Sequence, residues 1–197
     1  MANHHAPLPL SQDGTAGQDD MTGRLAMRFC YADPPYLGQA RRHYRNEPTY
    51  AGEVDHAALI QRLVSEFPDG WALSASSPSL RTILPLCPEN VRVMAWVKPF
   101  SIFKPGVGVA YAWEPVIVRG GRKRTRRRLT VRDWTAVNIT LRRGLVGAKP
   151  EAFAYWLFEV LGMEADDELV DLFPGTGAIG RALYKWRSAK VLTRGVF

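Results

Sequence analysis

The chain has 197 residues, a formal net charge of +7 and a hydrophobic content of 46%, enough for one well-buried α/β domain and too few residues for two full ones. Two cysteines, Cys30 and Cys87, make neither a disulfide framework nor a metal spacing; no apolar run is long enough to cross a bilayer, and the start lacks the basic-then-apolar order of a signal peptide. A protein of the reducing cytoplasm is expected, with no metal centre.

Residues 1–25 are rich in Gly, Asp, Gln, Thr and Pro without periodicity, the composition of a disordered tail, and the His4-His5 pair within it is read as incidental. The folded domain is expected over 26–197. Arg24 to Tyr31 reads as a mostly apolar strand, with Cys30 a buried small hydrophobe. It leads into Asp33-Pro34-Pro35-Tyr36 and then Leu37-Gly38, where a strand gives way to a loop. At a strand's carboxyl end these four residues supply an anion, two rigid prolines whose neighbouring carbonyls are free acceptors, and a flat aromatic face. A nucleobase amine needs such a set, although Asp and Pro also favour ordinary turns. Leu37 to Gly52, with Arg41, Arg42, His43, Tyr44, Arg45 and Tyr50, is too polar for a core element and is expected as a mobile loop over a bound nucleotide.

Asp55 to Phe67 carries a helical stripe of Leu59, Ile60, Leu63, Val64 and Phe67, with Asp55 as its cap and Pro68-Asp69-Gly70 as its stop. Trp71 to Ser74 is a second strand. Val91 to Val97 and Glu114 to Val118, joined by the Gly-rich segment Lys104 to Gly108, read as an antiparallel hairpin at a sheet edge. Next comes Arg119-Gly120-Gly121-Arg122-Lys123-Arg124-Thr125-Arg126-Arg127-Arg128, seven cations in ten residues, equal to the whole net excess. A solvated loop is the bland reading. Clustered Arg with Gly more often contacts phosphate, because guanidinium pairs with it bidentately and releases condensed counterions.

Pro150 opens a helix with an apolar stripe of Phe153, Trp156, Leu157, Val160 and Leu161, ended by Gly162. Glu168 to Leu172 is the last strong strand. It runs into the Gly-rich turn Asp171-Leu172-Phe173-Pro174-Gly175-Thr176-Gly177-Ala178-Ile179-Gly180, after which Ile179, Leu183 and Trp186 mark the buried face of a closing helix. The same glycines fit a dinucleotide fingerprint, but no Asp or Glu follows Asp171 to meet a ribose, and no Gly-Lys-Ser or Gly-Lys-Thr makes a triphosphate loop.

Asp33-Pro34-Pro35-Tyr36, Lys149-Pro150 and Phe173-x-Gly175-x-Gly177 together resemble the motifs of the S-adenosylmethionine-dependent amino-methyltransferases of nucleic acids. With the target motif first and the cofactor motif last, the chain is similar to the circularly permuted class of N6-adenine DNA methyltransferases, element by element from Ala26 to Trp186. The resemblance implies a Rossmann-like three-layer α/β sandwich. Its sheet would be mostly parallel and closed by an antiparallel edge hairpin, with the strands leading to Asp33 and Asp171 side by side at its centre. It implies that Asp33, Pro34, Pro35 and Tyr36 receive an adenine amine. It also implies S-adenosylmethionine held by Lys149 and Pro150 at the methionine end, Asp171 at the ammonium, Phe173 near the adenosine, and the backbone of Gly175, Thr176 and Gly177. DNA is the implied partner, with Arg122, Lys123, Arg124, Arg126, Arg127 and Arg128 expected on phosphates beside the cleft. RNA as substrate stays open, as does an inactive nucleic-acid-binding relative. One departure stands out: many members continue into a strand carrying an acid for the ribose, where Lys190-Val191-Leu192-Thr193 offers at most a stub.

Overall fold

Phe29, Cys30, Tyr31 and Ala32 are all buried, so β1 (Arg28–Ala32) is apolar on both faces, as a central parallel strand must be. The computed structural model describes residues 25–38, 52–100, 105–126, 129–139 and 148–194. Around β1 it builds a six-stranded sheet from β2 (Gly70–Ser74), β3 (Arg92–Val97), β4 (Trp113–Gly120), β5 (Trp134–Ala136) and β6 (Glu168–Asp171). The strand order is β5-β3-β4-β2-β1-β6. β1 pairs in parallel with β2 and β6, β4 is antiparallel to both β2 and β3, and β5 is parallel to β3.

Helices cover both faces, which makes the fold a three-layer α/β sandwich. The period-2 alternation of the strands divides the core. Cys30, Ala32, Trp71, Leu73 and Ile117 face α1 (His56–Glu66) and the short α2 (Leu80–Ile83), packing on Leu59, Ile60, Leu63 and Ile83. Phe29, Tyr31, Ala72, Trp96, Val116 and Val118 face α3 (Glu151–Leu161) and α4 (Ala178–Arg194), packing on Phe153, Leu157, Phe158, Ile179 and Trp186. The helix ends follow local chemistry. Asp55 caps α1 by accepting from the amides of Ala57 and Ala58 at 2.9 and 3.0 Å. Pro150 precedes α3 in extended geometry, and Gly162 ends it at φ +68°, the left-handed conformation that favours glycine. Among the described residues no helix is long and apolar enough to cross a membrane. The expected tail lies outside the described residues except for Leu25, and so does the expected loop over residues 39–51.

Three expectations are corrected. β6 does lie beside β1, but it is the outermost described strand rather than a central one. The β3–β4 hairpin is not the opposite edge, because β5 pairs outside it; three residues are too few to show a period. Lys190-Val191-Leu192-Thr193 is not a strand stub but the last turns of α4. No Gly or Pro intervenes to stop that helix.

The basic run is also displaced from where it was expected. Because β4 runs antiparallel to β2, Glu114 lies at the end of the sheet where β2 finishes, and Gly120 pairs with Gly70, where β2 begins. Six residues of strand, about 20 Å, separate the two ends, so the run starts at the far end from Asp33. There the backbones crowd: a Cβ on Gly120 would sit 2.7 Å from the Asp69 carbonyl. Arg122 is spent on an ion pair with Asp167, whose side chain is 1% exposed. Arg124 donates to the carbonyls of Leu129 and Glu159. Both are structural clamps holding the run against the end of α3. Lys123 and Arg126 are exposed, and Arg127 and Arg128 lie outside the described residues. Arg122→Ala would leave Asp167 buried with only the amides of Met27 and Glu164. A stability loss of about 3 kcal/mol is expected, to be read by chemical denaturation.

Candidate active site

The parallel register pairs Tyr31 with Asp171, and the Leu172 amide extends the ladder by donating to the Tyr31 carbonyl at 3.0 Å. Asp33 and Phe173 therefore leave the sheet from adjacent strands at the same carboxyl end, the edge where open α/β sheets bind ligands. The expected convergence of the two motif loops is realised.

Around Asp33 the structure assembles a group of charges that no local pattern announces. The Lys149 ammonium, on a side chain only 6% exposed, donates to Asp33 Oδ1 at 2.9 Å and to Glu114 Oε2 at 3.2 Å. Glu114 Oε2 also accepts from the Tyr36 hydroxyl at 2.6 Å, and its Oε1 accepts from Lys98 at 2.8 Å. The two ammonium groups lie against aromatic rings: Lys149 is 5.2 Å from the Trp96 centroid and 6.0 Å from that of Tyr36, and Lys98 is 5.6 Å from Trp96. Two carboxylates and two ammoniums balance, which is how buried charges are tolerated. Burial alone would lower the Lys149 pKa, but Asp33, the two tyrosines and Glu114 hold it well above the ordinary lysine range. Burial likewise works to raise Glu114, and Lys149 and Lys98 overcome it, bringing the carboxyl to about 2. Burial pushes Asp33 upward against the pull of Lys149, with the charge of Glu114 adding to the push. Lys149, held protonated by its neighbours, pairs with Asp33 at 2.9 Å.

Among the described residues Asp33 Oδ2 has no hydrogen-bond partner, and the Asp33 side chain remains 20% exposed. An acceptor is thus presented at the carboxyl edge with its other oxygen already oriented. Pro34 is buried and Pro35 half-buried behind it. Lys149, expected at the methionine end of a cofactor, has its ammonium on Asp33 and Glu114. Glu114 and Lys98 were missed as functional residues. In the sequence Glu114 only opens the second strand of the expected hairpin and Lys98 only follows the first.

The second loop stands apart from this network. Asp171 Oδ1 accepts from the Phe173 amide at 3.2 Å. Burial, opposed by that amide and reinforced by Asp33, lifts the Asp171 carboxyl to about 6. Phe173 packs on the α1 side of the core. Gly175 and Gly177 have φ of +48° and +72°, and a Cβ on Gly175 would meet nothing closer than 3.9 Å. The turn is thus open at Gly175, while at Gly177 a Cβ would lie 3.2 Å from the Arg181 guanidinium, which donates to the Thr176 carbonyl as the chain enters α4. A carboxylate in want of a cation beside an open glycine turn fits a ligand carrying an ammonium group.

No protein-family model matches the sequence, and no curated protein matches it. Among solved structures the chain is similar to M1.HpyAVI. The crystal structure of an M1.HpyAVI–SAM complex superposes with a TM-score of 0.56 at 15% identity, covering 83% of this chain and 79% of that one. A second M1.HpyAVI structure gives 0.54 at 14% identity, covering 83% and 77%. At such identity the likeness establishes the fold.

Proposed function

We propose that the protein transfers a methyl group from S-adenosylmethionine to the exocyclic N6 amine of adenine in DNA. The observation that carries this reading is the convergence of Asp33, with one oxygen held and one open, and the glycine turn after Asp171, on adjacent parallel strands. The SAM bound in the M1.HpyAVI complex supports the cofactor assignment.

S-Adenosylmethionine supplies an electrophilic methyl group on a sulfonium. Asp171 would pair with its ammonium, and Phe173 and the backbone of Gly175, Thr176 and Gly177 would line the remainder. The target amine is a poor nucleophile, because its lone pair is delocalised into the ring. A hydrogen bond accepted by Asp33 Oδ2, and a second by the Pro34 carbonyl, would draw the nitrogen toward tetrahedral geometry and localise that lone pair. Tyr36 would stack on the base, a contact worth about 1 to 3 kcal/mol. In a duplex the nucleotide must first leave the stack. Lys123 and Arg126 remain exposed for phosphate contact; Arg122 and Arg124 do not.

Because Asp171 must ionise to meet an ammonium, cofactor affinity should weaken as pH falls through about 6. Below that point it should drop about tenfold per pH unit. Titration calorimetry with S-adenosylhomocysteine across pH 5 to 8 reads this directly, and Asp171→Asn should flatten the profile.

The functional test is methyl transfer from labelled cofactor to DNA and RNA, with the modified nucleoside identified. N6-Methyladenine in DNA is expected. Label in cytosine, or in RNA alone, would replace the acceptor. An intact fold that neither transfers label nor is stabilised by millimolar S-adenosylhomocysteine would remove the methyltransferase reading altogether.

A further inference from the structure

Resting on that reading, we propose that Glu114 is a positioning residue: its single carboxylate fixes both the Tyr36 ring and the Lys149 ammonium, and so sets where the base stacks and how Asp33 points. Tyr36 lies in the irregular segment that follows β1. By contrast Glu114 sits in β4, registered opposite Trp96 on β3 and followed by Pro115, whose carbonyl accepts from the Ala75 amide at 3.0 Å. A residue of the rigid sheet therefore holds a residue of the loop. The tether is the 2.6 Å hydrogen bond from the Tyr36 hydroxyl, at the far end of a side chain that otherwise turns about two torsions. Fixing that end orients the ring face offered to a base.

The same oxygen takes one proton of Lys149 while Asp33 Oδ1 takes another. Lys149 then braces Asp33 from beneath, leaving Oδ2 for the amine. Lys98 closes the set by occupying Oε1, so Glu114 cannot rotate away from its two clients without breaking a third contact. Glutamine at position 114 would keep the shape and lose the charge, leaving two ammoniums to one carboxylate. With one acceptor oxygen left in place of two, the hold on Tyr36 and on Lys149 would loosen together, Lys149 keeping only Asp33 at full strength.

The test uses the full chain, with transfer to adenine-containing DNA measured at saturating cofactor. Glu114→Gln is expected to lower kcat about a hundredfold, the scale of a small misplacement of reacting groups, with unchanged affinity for S-adenosylhomocysteine. Tyr36→Phe, which removes only the hydroxyl, should lose about tenfold, the worth of one hydrogen bond. Since both changes free the same ring, the double variant should fall no further than Glu114→Gln alone. A pH signature separates positioning from bulk stability. Asp33 is faced by Lys149 from the α3 entry, Glu114 from β4, Tyr31 from β1 and Asp171 from β6. Removing the Glu114 charge makes Asp33 easier to ionise, so the acid limb of kcat should move to lower pH in Glu114→Gln. A folded Glu114→Gln with wild-type kcat and an unmoved acid limb overturns the proposal, as does a double variant whose losses simply multiply. Should Glu114→Gln not fold, Tyr36→Phe decides alone: wild-type turnover and undiminished fluorescence of captured 2-aminopurine DNA overturn it. A wild-type protein without transfer activity overturns the functional reading first, and this inference with it.

Discussion

Replacing Asp33 by Ala should lower methyl transfer to adenine-containing DNA by about 10³-fold, within the range of a positioned proton-accepting group, while cofactor affinity is largely retained. The separation follows from the partners. Asp33 is held by Lys149 and presents its free oxygen outward, whereas the residues proposed for the cofactor, Asp171 to Gly177, lie on β6 and the turn after it. Lys149 keeps Glu114 as a partner in the variant, so the fold should survive. Single-turnover transfer and calorimetry with S-adenosylhomocysteine give the two readouts. Near-normal transfer by Asp33→Ala would mean that the first motif does not receive the amine.

Lys149→Met should destabilise the protein by about 3 kcal/mol at neutral pH, because it strips the shared cation, itself buried, from two largely buried carboxylates. For a chain of this size the melting temperature should fall on the order of 10 °C. Glu114 would keep Lys98 at Oε1, but Asp33 would face it with no cation among the described residues at either oxygen. Without Lys149 both carboxyls ionise less readily. Protonating them relieves the repulsion, so the loss should be greatest at neutral pH and shrink as the solution is acidified. Thermal melts at pH 4 and pH 7 check the sign. A lysine serving only the methionine end of a cofactor would behave oppositely: cofactor affinity would fall and the stability of the free protein would not change.

Several features were legible in the amino-acid order because they act within a turn or two of chain. Asp55 reaches amides two and three residues away, Gly162 supplies the one left-handed conformation that ends α3, and the stripes of α1 and α3 repeat every three or four residues. Asp33 to Tyr36 after a mostly apolar run, and glycines after a second strand-like run, belong to the same kind of signal. They identify two strand ends that carry ligand chemistry. What they do not carry is the register between strands. Only the pairing of β1 with β6 brings Asp33 and Asp171 to one edge, and only the antiparallel course of β4 puts Glu114 at that edge and the basic run at the other. Lys149 meets Asp33 across 116 residues and Glu114 across 35, while Arg122 meets Asp167 across 45. Charges so far apart in sequence leave no periodicity. The sequence alone put Arg122 among the phosphate contacts and Lys149 at the methionine end of a cofactor, with no sign of Asp167, Asp33 or Glu114 as their partners. Burial decided both: once desolvated, each charge had to find a partner, and the fold determined which one was within reach.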